Sequence, residues 1–523
     1  MEQYWRMMMI HISSVSPTLL AIPLVLFLTS FIWGCRVLSA KRSAAAAPGP
    51  WKLPIIGNLH QLMFSRVPAL HIRLRELAQR YGPVMSLQIG EVTNVVISSP
   101  EAAKLVLKTH DLVFASRPSI LVARIIFYGC KNIGFAPYGE YWRQMRKICI
   151  VELLSARRVA SFRSIREEEV SSLISRIRLA ATARDEEGVD LREMLFSFTS
   201  NVTYRSAFGK LQKTDKEIFM AVVERIAEAL GGFGLSDLFP SLKFIPVITG
   251  YQAKLMTLHQ RADSLLEKII EKHRVKADRK RQQHSDDDDD EIEDIVDILL
   301  NLQRTGGLQL PLTTDDIKAV ILDVFIGGME TSATTMEWTM SELIQNPNVL
   351  RLVQEEVRQV FGDKGNVCED RLHELTYLGA VIKESMRMHP PTSVLLPRET
   401  RETIKINGFV IPAKTRVIVN AWAIGRDPSY WTDPEKFCPE RFLNSSIDHK
   451  GAHFEYIPFG AGRRICPGML FGMAIFQLGL ANLLFHFDWK LPITLQHIDL
   501  TKQSGLSISS KELLRLIPTA ASN

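Results

Sequence analysis

The chain has 523 residues, 46% hydrophobic and 23% charged, with a net charge of +6. That balance excludes a disordered tail and a strongly basic nucleic-acid binder, and it supplies apolar side chains for one large core. Six cysteines, at 35, 130, 149, 368, 438 and 466, form no C-x-x-C pair, which argues against zinc ribbons and disulfide frameworks and for reduced thiols facing the cytosol.

Taken in chain order, the first element is an apolar span. No charged residue occurs from Ile12 to Cys35, close to the ~20 residues a helix needs to cross ~30 Å of hydrocarbon. It is too long for a secretory signal core. Arg36, Lys41 and Arg42 follow it, whereas Arg6 alone precedes it, so the bulk of the protein is expected on the cytosolic side. The expected organisation is an anchor over 1–36 with its span about 13–35, a basic, Pro-containing linker over 37–50, and a single domain over 51–523. The remainder reads as a helix-rich body with a minor sheet. A helix is expected from Arg73 to Tyr81, two short strands within Gln88–Ser99, and helical periodicity around 138–187, 215–230 and 251–280. The acidic run 286–294 reads as a solvated loop. Thr313 or Thr314 caps a helix that meets no stop signal before Asn346-Pro347, roughly 33 residues or about 50 Å at 1.5 Å per residue. Another helix is expected from Arg371 to Met388, then strands at Phe409–Ile411 and Arg416–Val419. A buried, apolar helix is expected over Leu470–Phe485, because Ile465–Phe487 carries Pro467, glycines and polar residues that disfavour a second span. The triplets at Asn201 and Asn444 match the glycosylation pattern, which is idle in a cytosolic domain.

The chemistry-bearing segment is Pro458–Gly468, PFGAGRRICPG. Its glycines permit turns with positive φ and close backbone approach to a flat ligand. Cys466 stands just before a helix, where free N–H groups favour a thiolate. Phe459 shields the sulfur, and Arg464 is set to meet a carboxylate. Five residue types at fixed spacing (Phe459, Gly462, Arg464, Cys466, Gly468) make a chance match remote.

On these residues the chain resembles the cytochrome P-450 superfamily over essentially its whole length, most nearly its plant microsomal members. The resemblance implies an α-rich fold with a minor β part and a long central helix over haem b, whose iron takes Cys466 as its thiolate ligand, a ligand that favours O–O cleavage. Gly327-Gly328-Met329-Glu330-Thr331-Ser332 resembles the oxygen-binding stretch, with Glu330 and Thr331 as the acid and alcohol of a proton relay. Gly327 and Met329 stand there where Ala and Thr are commoner, and Ala47 stands before Pro48 where many relatives carry another proline. Glu384, Arg387 and Arg441 resemble the family's buried structural triad. Trp142 and Arg146, one turn apart, together with Arg398 resemble the partners of the haem propionates. By analogy Leu121, Val122, Phe127, Val324, Val394, Leu395 and Leu506 line the substrate pocket.

The implied reaction is insertion of one atom of O2 into a small hydrophobic metabolite, a terpenoid first and an alkaloid or phenylpropanoid next. No G-x-G-x-x-G follows a strand, so electrons are expected from NADPH through a separate membrane reductase, docked on a basic face that includes Arg143, Lys147 and Arg463. A cytochrome b-type donor is a further candidate partner; nucleic acid is not. The expected location is the endoplasmic reticulum membrane. Two other classes compete: a haem-thiolate isomerase or dehydratase that needs no O2, and a haem protein without catalysis. Glu330 and Thr331 argue against the non-catalytic protein, which needs no proton relay, and reductase-dependent NADPH consumption separates the oxygenase from the isomerase.

Overall fold

The computed structural model describes residues 46–63, 69–182, 188–209, 213–232, 234–283, 292–363, 365–492 and 514–521, the pairs 502–503 and 509–510, and a few positions between 23 and 30. Of the expected membrane span, Pro23, Val25–Phe27, Thr29 and Ser30 are helical, with Val25, Leu26 and Phe27 exposed. The rest of the span, most of the linker, most of the acidic run and Leu506 lie outside the described residues.

The longer helices, in chain order, are α1 (Leu70–Tyr81), α2 (Leu121–Ile126), α3 (Glu140–Ile148), α4 (Arg163–Thr182), α5 (Leu191–Phe208), α6 (Lys213–Leu230), α7 (Tyr251–Gln283), α8 (Ile295–Thr305), α9 (Thr314–Gly328), α10 (Glu330–Gln345), α11 (Pro347–Phe361), α12 (Thr376–Met388) and α13 (Met469–His486). The main sheet holds β1 (Val84–Ile89), β2 (Val92–Ile97), β3 (Arg398–Glu399) and β4 (Arg416–Val419), in the order β1-β2-β4-β3. Its β2–β4 pair is parallel and the others antiparallel. The α-rich class with a minor sheet is as expected.

Besides α1, which begins at Leu70 rather than Arg73, three boundaries differ from the sequence reading. The first hairpin begins at Val84 rather than Gln88, and turns at Gly90, whose φ of 60° suits a tight turn. The expected helix from Arg371 starts instead with a 3-10 turn, Glu369–Glu374, and becomes α-helical at Thr376. The uninterrupted rod expected up to Asn346 is two segments, α9 and α10, meeting at Met329. There the Thr331 hydroxyl donates to the Gly327 carbonyl at 2.6 Å, competing with the main-chain ladder where two glycines already loosen it.

The start of α9 is set by a capping box: the Thr313 hydroxyl accepts from Asp316 N–H, and the Asp316 carboxylate accepts from Thr313 N–H. α13 passes the length and composition test for a membrane helix, yet most of it is buried. It packs on α4, α10 and α11, so it is the core helix expected from its interrupted apolar run. Asn201 lies within α5 with its amide engaged by Glu169 and Lys216. Domain packing already begins in the expected linker, since the Pro48 carbonyl accepts from Ser86 N–H at 2.7 Å and Pro50 is buried.

Candidate functional site

The turn before α13 is held by its own backbone. Cys466 N–H donates to the Phe459 carbonyl (3.0 Å), closing the loop, and Gly460 and Gly462 both take φ of 71°. A Cβ on Gly462 would fall 1.9 Å from the Leu107 carbonyl oxygen, so only glycine fits. Burial pushes the Cys466 thiol up, while the Gly468 N–H and the Arg146 charge pull it back. A buried thiol of this kind ionises readily only against a cation, as at a metal. Cys466, Phe459 and Gly468 open on a cavity of about 310 Å³ that residues of α9 and α10 also line.

Four guanidinium groups line the same cavity: Arg117, Arg146, Arg398 and Arg464. All four are buried. Arg464 donates to the carbonyls of Ala115, Ile133 and Ala136, and lies 4.2 Å over the Trp142 ring. Arg398 bonds Asp111 (2.9 Å) and the Ala461 carbonyl (3.0 Å). Arg117 donates to the carbonyls of Gly134, Leu396 and Pro397. Arg146 makes no such bond among the described residues. Burial and then the charges of Arg398 and Arg146 bring Arg464 down to about 9. Burial followed by Arg464 and Arg398 depresses Arg117 as well. Buried cations that repel one another, with Asp111 the carboxylate ion-paired among them, call for an anionic ligand.

Gly327 lines the same cavity as Cys466, and a Cβ built on it meets nothing within 4 Å. Thr331 lines the cavity; Glu330 is not among its lining residues, and burial raises its carboxyl. Asp323, one turn before Gly327, also lines it. Behind this region Glu384 accepts two bonds from Arg387 (2.7 and 2.8 Å) and one from Arg441 (3.1 Å), and both carboxylate and Arg387 are fully buried. The spacing of three along α12 and the Pro439–Phe442 turn therefore do converge.

The family model for cytochrome P-450 matches residues 47–516. Premnaspirodiene oxygenase of Hyoscyamus muticus is 47% identical, covering 92% of this chain and 94% of its own. Desmethyl-deoxy-podophyllotoxin synthase of Sinopodophyllum hexandrum is also 47% identical, covering 91% and 92%. A zebra fish cytochrome P-450 solved with abiraterone is similar at a TM-score of 0.72 and 25% identity, over 87% of this chain and all of that one. The chain belongs to the cytochrome P-450 family. It is a P-450 monooxygenase, and haem iron is the family's cofactor.

The residues present fit that cofactor. A thiol and four guanidiniums share one cavity with Gly327, whose missing side chain leaves space there, and the surplus positive charge suits two propionates. The geometry also sorts the sequence expectations for this P-450. Arg146, Arg398, Arg464, Trp142, Phe459, Cys466, Gly468, Thr331, Phe127, Val324 and Leu395 line one cavity. Trp142, however, donates its indole N–H to the Ile133 carbonyl (3.2 Å), and Arg398 and Arg464 have protein partners already, so Arg146 is the guanidinium with donors to spare. Leu121, Val122 and Val394 are not among the lining residues. Leu121 and Val122 are packed in the core, and Val394 pairs with Asn420 and packs against the cluster beneath β1 and β2. Sequence reasoning missed Arg117 as a site residue; its signal was a lone cation in the otherwise uncharged stretch Val113–Ala123.

Proposed function

We propose that this P-450 oxygenates a small hydrophobic specialised metabolite, terpenoid first, with electrons from NADPH delivered by a separate membrane reductase. The carrying observation is that Cys466, the four guanidiniums, Gly327, Gly328 and Thr331 open on one cavity. Bound haem iron supplies the activation of O2, one atom of which enters the substrate while the other leaves as water. Cys466 would hold the iron through its sulfur, and Arg146, aided by Arg398 and Arg464, would hold the propionates. Phe459 covers the sulfur against water. The Thr331 hydroxyl, anchored on the Gly327 carbonyl, holds a proton at its Oγ1 on the cavity wall, with Glu330 as its acidic neighbour in sequence. An apolar wall of Phe127, Leu230, Val320, Val324 and Leu395 selects for hydrocarbon, in keeping with a relative named as an oxygenase of premnaspirodiene. Arg143, Lys147 and Arg463 are exposed and offer a basic face to an acidic reductase, a contact that weakens with salt. The endoplasmic reticulum membrane is carried over from the plant microsomal relatives, and the basic flank of the span supports a domain facing the cytosol.

The deciding measurement is the reduced protein with CO. The red-shifted Soret band of thiolate ligation is the expected result, and it is lost in Cys466→Ser; a histidine-type spectrum in the wild type refutes the assignment. A metabolite panel in microsomes with reductase then identifies the substrate, and turnover without NADPH would instead indicate an isomerase.

A further inference from the structure

Asp323 is an ionisable side chain on the otherwise apolar substrate wall, and its contacts lead away from the substrate. The N–H groups of Ile133 (2.5 Å) and Gly134 (3.1 Å) donate to one carboxylate oxygen, and Asn132 Nδ2 donates to the other (2.8 Å). The same turn presents its carbonyls to the cationic side of the cavity. Ile133 O accepts from Arg464 (3.0 Å) and Trp142 (3.2 Å), Gly134 O from Arg117 (3.0 Å), and Ala136 O from Arg464 (2.5 Å). Ala136 N–H closes the turn on the Asn132 carbonyl at 2.9 Å. One peptide segment thus faces α9 with its donors and the arginines with its acceptors.

We propose that Asp323 is a positioning residue that fixes the 132–136 turn and, through it, the guanidiniums of Arg464 and Arg117 at the propionate end of the haem pocket. This rests on the haem-thiolate reading above. The lever runs from the substrate side of α9 to the cofactor's carboxylates, so displacement of α9 near Asp323 moves the field at the haem edge. Position, rather than charge, is what the turn requires. Asn at 323 keeps an acceptor for the two N–H groups. Its amide then faces Asn132, whose Oδ1 is buried without a hydrogen bond among the described residues and accepts once the Asn132 amide turns over.

The test uses the full-length holoprotein in membranes, with Asp323→Asn, Asp323→Leu and Asn132→Ala. The wild-type CO band is read first; its absence would refute the haem-thiolate reading itself, separately from this inference. Haem loss to excess apomyoglobin and the haem reduction potential are then measured. Asp323→Leu is expected to keep the thiolate band but lose haem on the order of tenfold faster, the factor one hydrogen bond to the turn is worth, with a displaced potential. Asn132→Ala falls between, and Asp323→Asn stays close to wild type in both. A merely structural contribution would lower thermal stability without moving the potential. Wild-type haem loss and potential in Asp323→Leu overturn the proposal, as does Asp323→Asn tracking Asp323→Leu. If Asp323→Leu does not accumulate, wild-type values in Asn132→Ala overturn it.

Discussion

Two side chains on the cavity wall carry separable expectations. The Thr331 hydroxyl is held by the Gly327 carbonyl at the helix break, so Thr331→Ala removes a held proton without removing a haem contact. The expected outcome is NADPH consumption largely uncoupled from product and appearing as hydrogen peroxide; a tightly coupled mutant would refute the relay. For Asp323, burial holds the carboxyl at about 6 in the folded chain against 3.8 when exposed, opposed by bonds from Asn132, Gly134 and Ile133. Because the folded value is the higher, folding takes up a proton between the two. The associated stabilisation is complete below pH 3.8 and is lost as pH rises through about 6. Asp323→Asn carries no such dependence, so its stability should gain on wild type by up to about 3 kcal/mol between about pH 4 and pH 8, read from unfolding curves. A constant difference across that range would contradict the assigned shift.

Elements differ in how far their sequence announces them. α9 begins at a capping box and α11 with Pro347, local signals that act within one turn. α5 is buried on nearly all sides, from Leu195 and Phe198 to Thr203 and Phe208, so it has no polar stripe for periodicity to reveal, and it was not anticipated. The break at Met329 was also illegible as a boundary, because Gly327 and Gly328 weaken a helix without stating where it stops. Where α12 meets the Pro439–Phe442 turn, the buried Glu384 carboxylate answers two arginines and the Cys438 N–H. Glu384→Ala leaves Arg387 buried without its carboxylate, and a loss of about 3–5 kcal/mol is expected, read as falling haem occupancy and unfolding temperature. Normal holoprotein yield and stability would show the pair to be dispensable.

For the whole molecule, the expected division into anchor, linker and one haem domain is a proposal with a simple check. Because the chain packs on β1 from Pro48 onward, deletion of residues 1–40 spares every described contact of the domain. The truncated protein is expected to leave the membrane with haem and the thiolate CO band intact. Loss of haem on truncation would place the N-terminal segment in the fold rather than in the bilayer.

The sequence alone determined the family, the α-rich class and the site's residue types, because the Phe459–Gly468 spacing, the Glu384/Arg387 pair and the Trp142/Arg146 turn are local patterns whose physics acts within a few residues. Only the tertiary structure decided which of those groups share a cavity and which are already satisfied by protein. Arg117 became visible as a site residue only through its bond to the 132–136 turn, the grip of Asp323 on that turn has no local signal, and Val394 faces another cluster. Such outcomes depend on contacts between residues hundreds of positions apart, and no local spacing encodes the partner at the far end.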